Sequence, residues 1–168
     1  MSATNTIAII GTIEKNIVSL IEQIAKLYHI VLFNKEENQL KELQSLLASS
    51  ISKANIEVMN CVTNASWEAD IIFITDSCRS NQAIANKIRK VSTGKIIVLL
   101  SFETKPTANN TILQELLPNS KIITSILSET NQNEIHITGN DAIAKTTIAS
   151  YFKTIGRNTK IDLTPISN

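Results

Sequence analysis

The sequence predicts an α/β fold: a doubly wound, mainly parallel sheet with helices on both faces. Two observations carry that expectation. Short unbroken apolar runs, of the kind found in strands covered on both faces, recur along the chain. Between them lie longer segments whose apolar residues return at helical spacing. Strands alternating with helices of this length build βαβ units and so a parallel sheet. A third observation sharpens the boundaries. Only four glycines and three prolines occur in 168 residues, so each one punctuates.

Taken in order, residues 7–10 form the first strand, and a helix follows from Asn16. Its Ile17, Leu20, Ile21, Ile24 and Leu27 share one side, with Glu22, Gln23 and Lys26 on the other. Residues 29–33 are a second strand, and Leu40, Leu43, Leu46 and Leu47 mark a second helix within 35–51. Strands are expected over 56–62 and 71–75, then a helix over 81–91 with Ile84, Ile88 and Val91 on one face. A fifth strand spans 94–101, and a short helix ends near Leu117 and Pro118. Strands over 120–126 and 134–140 follow. Helix 141–155 is stopped by Gly156, and a last strand covers 160–166. With no linker, repeat or low-complexity stretch, residues 1–168 read as one domain.

Composition narrows the function. Sixteen Lys plus Arg against fifteen Asp plus Glu leave a net charge of +1, so no broad field favours nucleic acid or an anionic membrane. Cys61 and Cys78 form no CxxC pair and lie near no histidine, which argues against a disulfide framework or a zinc site. Both read as small hydrophobes in a reducing compartment. No apolar run approaches a membrane span or a signal segment, and a cytoplasmic location is expected.

In an open α/β sheet, ligands sit beyond the carboxyl ends of the strands, where the strand order reverses. Four turns therefore matter. The first, Gly11-Thr12-Ile13-Glu14-Lys15-Asn16, follows a strand and opens a helix, as a dinucleotide-binding turn does. Set against G-x-G-x-x-G, it keeps Gly11 for the tight turn but puts Ile13 and Asn16 at the second and third glycine positions. Ile13 is expected to stand where a phosphate would lie, with the charge of Glu14 beside it. The helix N-terminus still offers N–H groups and a positive dipole end. A turn that merely joins strand to helix is the competing reading.

The second turn, Asn34-Lys35-Glu36, falls where a ribose 2′-hydroxyl or 2′-phosphate is read, and its Lys35 leans towards NADP. Its structural alternative is Asn34 as a helix cap with Lys35 solvated. In the third, Asp76, Ser77 and Ser80 are good caps and Arg79 is within reach of a phosphate. Cys78 at a helix start has no nearby histidine to act as its base. The fourth offers Ser101, Glu103 and Lys105. His29 and His136 alternate with apolar residues and read as structural histidines.

Several segments together resemble a known family. "TIAIIGT", "ADIIFIT", "GKIIVLLS", "ELLPNSKIITSI" and the tail "ITGNDAIAKTTIASYFKTIGRNTKIDLTPI" follow the order and spacing of NADP-dependent deazaflavin (coenzyme F-420) reductases. These belong to the pyrroline-5-carboxylate reductase-like group of Rossmann domains. The resemblance implies a Rossmann fold, NADP on Gly11, Thr12 and Ile13, and 2′-phosphate recognition near Asn34 and Lys35. It also implies a nicotinamide pocket near Thr75, Asp76 and Ser101, and hydride transfer to a flavin-like or small acceptor. The departures, at Ile13, Asn16, Thr75-Asp76-Ser77 and "SFETKP", all fall at the ligand edge.

Two functions from different classes remain at this stage. One is an NADP-dependent oxidoreductase; the other is a non-catalytic Rossmann-like binding or interaction module. If the glycine-poor turn is only weakened, Ile13→Gly is expected to strengthen NADP binding. A homodimer is expected, because a small domain without a partner segment tends to cover apolar surface by pairing.

Overall fold

The computed structural model describes residues 5–50, 55–75, 78–102, 109–128, 131 and 133–162, without the side chains of 15, 16, 78–80, 109 and 110. Eight strands form one sheet in the order β3-β2-β1-β4-β5-β6-β7-β8. They are β1 (Thr6–Ile10), β2 (His29–Phe33), β3 (Ile56–Val58), β4 (Ile71–Ile74), β5 (Ile96–Ser101), β6 (Lys121–Leu127), β7 (Glu134–Gly139) and β8 (Asn158–Ile161). All neighbours pair parallel except β6 with β7. The mainly parallel, doubly wound sheet read from the sequence is therefore present.

Six helices connect the strands: α1 (Lys15–Ala25), α2 (Glu37–Ser50), α3 (Val62–Glu68), α4 (Cys78–Ile88), α5 (Asn109–Leu116) and α6 (Ala142–Thr154). Alternate strand residues face opposite sides, and the core divides accordingly. Ile7, Ile9, Ile30, Leu32, Ile71 and Phe73 pack with Ile17, Leu20 and Ile21 of α1, Leu40 and Leu47 of α2, and Ile148 and Phe152 of α6. Ala8, Ile10, Ile72, Ile74 and Leu99 pack on the other side with Val62 of α3, Ile84 and Ile88 of α4, and Leu113 of α5. Each fully buried isoleucine or leucine contributes about 1.5–3 kcal/mol relative to exposure, so both layers are fastened by burial. Phe73 and Phe152 add a stacked pair with ring centroids 6.0 Å apart.

The structure corrects two expected elements. The third strand is only Ile56–Val58, and Val62 opens the unforeseen helix α3. Val62, Ala65, Ser66 and Ala69 recur at helical spacing and are buried, but their small side chains give a weak apolar signal. The last strand starts at Asn158, in register with Glu134, and the expected extension past 162 lies outside the described residues. His136 is exposed, its Nε2 2.8 Å from Glu134 Oε1, so it has a side-chain partner as a structural histidine should. Among the described residues, no helix is long and apolar enough to cross a membrane.

Candidate functional site

The chain runs outward from β1 through β2 to β3, then returns to place β4 on the other side of β1. The switch in direction falls at β1 and β4, and the crevice of such a sheet opens at their carboxyl ends. Three expected site residues sit in the turn that leaves β1. Gly11 is buried with φ 116°, a left-handed conformation that costs a side-chain-bearing residue about 1–3 kcal/mol. Its N–H donates to the Phe33 carbonyl at 3.0 Å, tying the turn to the end of β2. Thr12 is exposed. Ile13 is half-buried and packs against the core layer of α1, α2 and α6.

Thr75, just after β4, holds the same turn from the other side. Its N–H donates to the Ile10 carbonyl at 3.0 Å, and its hydroxyl donates to the Thr12 carbonyl at 2.7 Å. Gly11, Thr12 and Thr75 are thus joined directly. Helix α1 then begins with Glu14 as its N-cap residue, whose side chain makes no capping hydrogen bond. Ile17 and Val18 donate back to the Glu14 carbonyl at 2.9 and 3.2 Å, while the amides of residues 15 and 16 have no acceptor within the helix by position. The turn therefore presents backbone donors at the positive end of a helix dipole.

The second turn is built differently. Asn34 is buried: its Oδ1 accepts from the Glu36 N–H at 3.0 Å and its Nδ2 donates to Gln39 Oε1 at 2.9 Å. The bond to Glu36 closes a turn just ahead of α2, which starts at Glu37, so Asn34 shapes the approach to the helix rather than capping its first amides. Lys35 is exposed and lines a cleft of about 830 Å³ with Phe33, Lys41, Asn60, Asn64 and Trp67. Three glutamates, Glu37, Glu57 and Glu68, also line it, so the cleft is mixed in charge rather than basic. Trp67, the only tryptophan, is 67 % exposed there. Lys95 closes the end of α3 behind it, its Nζ donating to the carbonyls of Ser66 and Trp67, both at 2.7 Å. Burial of that ammonium pushes its pKa down, with Asp70 and Glu68 opposing.

The cleft escapes the sequence reading because residues 63–68 of α3 carry no expected element there; a lone tryptophan near Asn60 and Asn64 is the available signal. Cys61, at the start of α3, is half-buried. Its thiol is pushed below the ordinary range by backbone hydrogen bonds from Asn64 and Thr63. Ser101 ends β5, two strands from β1, half-buried and in register with Ile126. Asp76, Ser77, Glu103 and Lys105 lie outside the described residues, as do the side chains of Cys78, Arg79 and Ser80. His29, on β2, has its Nε2 3.8 Å from Glu57 Oε2, and His136 lies across the sheet on β7. The two histidines are not brought together. No group of three or more His, Cys, Asp or Glu fit to hold a metal occurs among the described residues.

No family model and no curated protein matches the sequence. Solved structures do match. A protein assigned as an F420-dependent NADP reductase, from Arthrobacter sp. FB24, superposes with a TM-score of 0.72 at 15% identity, over 95% of this chain and 84% of that one. A pyrroline-5-carboxylate reductase from Coxiella burnetii gives 0.73 at 14% identity, over 96% and 60%. A UDP-glucose dehydrogenase from Pyrobaculum islandicum gives 0.73 at 12%, over 95% and 46%. The chain thus spans about half of that dehydrogenase and less than two thirds of the pyrroline-5-carboxylate reductase. At such identities the likeness establishes the fold alone, a doubly wound α/β sheet of the Rossmann type.

Proposed function

We propose that this chain binds a nicotinamide dinucleotide, NADP in preference to NAD, and serves hydride transfer to a flavin-like or small acceptor. The observation that carries the reading is the uncapped start of α1 behind Gly11, one strand away from the Lys35 cleft. A pyrophosphate needs backbone N–H donors at a helix N-terminus, and a 2′-phosphate needs a cation at the end of the second strand. The turn and the cleft offer these two in the order the ligand requires.

In this reading the backbone of Gly11, Thr12 and Ile13 receives the pyrophosphate, and Lys35 beside Asn34 receives the 2′-phosphate. Thr75, Asp76 and Ser101 border the nicotinamide end. Ile13 fits better than its side-chain type suggests, since part of its bulk lies against the core. The nicotinamide ring supplies the hydride chemistry, so the protein's part is to orient it and exclude water, with no acid–base pair required. The Arthrobacter neighbour, described as an F420-dependent NADP reductase, supports the choice.

A second reading, binding without catalysis, is favoured by one observation: the Thr75 hydroxyl is already spent on the Thr12 carbonyl. Trp67 supplies the test. NADPH should change its fluorescence saturably, and NADH should do so more weakly; Lys35→Ala should erase that difference. Absence of binding by either nucleotide at millimolar concentration removes the oxidoreductase reading. The proposal also takes the chain as a homodimer, which a monodisperse monomer in light scattering would overturn.

A further inference from the structure

We infer that Thr75 is a positioning residue for the dinucleotide turn: its hydroxyl sets the direction in which the amides after Gly11 point. The inference rests on the dinucleotide reading above and names a device within that site. The turn is suspended between the two strands that flank β1. On one side the Gly11 N–H reaches the Phe33 carbonyl of β2 at 3.0 Å. On the other, Thr75 Oγ1 reaches the Thr12 carbonyl at 2.7 Å.

A hydroxyl has one proton to give. The Ile10 carbonyl lies 3.3 Å from the same oxygen, but it already accepts the Thr75 N–H at 3.0 Å, so the shorter contact to Thr12 takes the proton. In a planar trans peptide the carbonyl and the following N–H point in opposite directions. Drawing the Thr12 carbonyl towards β4 therefore turns the Ile13 N–H away from β4, and it fixes the entry of the chain into α1.

Without that bond, Gly11 leaves the turn conformationally free, because glycine imposes no preference of its own. In a glycine-rich turn the close approach of phosphate relies on the missing side chains. In this turn, which keeps one glycine, a hydrogen bond from the next strand holds the donors in place. Thr75 touches the turn rather than the reacting atoms, so its effect is on ligand affinity through Thr12 and Ile13.

The test compares wild type, Thr75→Val and Thr75→Ser by calorimetric titration with NADPH. Amide hydrogen exchange is followed over residues 11–18 without nucleotide. Valine keeps the shape and removes the donor; serine keeps the donor. Loss of one hydrogen bond predicts a roughly 5-fold weaker NADPH affinity for Thr75→Val, with Thr75→Ser close to wild type. Exchange should accelerate in the valine variant at residues 11–18 and stay unchanged in β5 and β6.

Equal NADPH affinity of wild type and Thr75→Val would overturn the inference. If wild type itself does not bind NADPH, the dinucleotide reading fails, and exchange alone decides the strut. Acceleration confined to residues 11–18 then supports it, and unchanged exchange overturns it.

Discussion

Two strand–glycine–helix units occur in this chain, and they are finished in opposite ways. The first runs from β1 through Gly11 to α1; the second runs from β7 through Gly139 to α6. Both glycines have positive φ, 116° and 153°. At the second unit everything is closed. A Cβ on Gly139 would stand 2.7 Å from Ile123 Cδ1 and 2.9 Å from the Ile122 carbonyl oxygen. Asp141 caps α6, its Oδ1 accepting from the Ala144 N–H at 2.7 Å.

At the first unit the Glu14 side chain makes no such bond, and the leading amides of α1 have no acceptor within the helix by position. Because β7 runs antiparallel to β6, the closed unit also lies at the opposite edge of the sheet from the switch crevice. The same local pattern thus makes a scaffold joint in one place and a candidate ligand site in the other. Capping, rather than the glycine, separates them.

The comparison breaks first at Gly139. Gly139→Ala forces a side chain into an unfavourable φ and against a backbone carbonyl, at a cost on the order of 3 kcal/mol in urea unfolding. NADPH affinity of the folded protein should not change. Ile13→Gly comes next. Since Ile13 packs on the core, the substitution removes burial and adds chain freedom, with an expected loss of roughly 1–3 kcal/mol. The gain in NADP binding expected from sequence is therefore offset by a looser turn, and affinity should fall or stay level.

A smaller and paired effect separates the two caps. Asp141→Ala should cost about 1 kcal/mol in thermal or chemical unfolding, as lost N-caps do. Glu14→Ala removes no capping bond and should stay within about 0.5 kcal/mol of wild type. It should nevertheless tighten NADPH, because a negative charge leaves the phosphate side of the turn. Equal destabilisation by the two variants would contradict the distinction drawn between the helices.

The smallest effect is in pH. Hydrogen bonds from Lys160 and then His136 hold the Glu134 carboxyl below its ordinary range. Its contribution is present above the unfolded carboxylate range and is lost as pH falls through the lowered value. Glu134→Gln should accordingly flatten the acid limb of stability slightly and leave NADPH binding untouched.

Much of this was legible beforehand, for physical reasons. β1, β2, β4 and β5 announce themselves because strands covered on both faces must be apolar at every position. The resemblance rested most on "LLPNSKII" and "GND-x-x-AK", and these segments prove to be scaffold. Ser120 Oγ donates to the Ser92 carbonyl at 2.8 Å, Asp141 caps α6, and the buried Lys145 ammonium donates to the Asp162 carbonyl at 2.6 Å.

What the sequence hid was of two kinds. Helix α3 buries Ala65 and Ser66, too small to mark a face, and the Trp67 cleft disappeared with it. The bond from Thr75 to Thr12 joins positions 63 residues apart, which no local pattern encodes. The packing of Ile13 on the core is hidden for a related reason: a glycine template fixes backbone positions but not the way a substituted side chain turns.

The central claim is that the open start of α1 and the Lys35 cleft together hold a nicotinamide dinucleotide. Titration of isotope-labelled protein with NADPH, followed through backbone amide resonances, tests it most directly. Saturable shifts are expected at residues 11–18 and at Asn34 and Lys35, with weaker binding for NADH and little change around Gly139 and Asp141. Amides that do not move at millimolar NADPH, or that move only around α6, would contradict it.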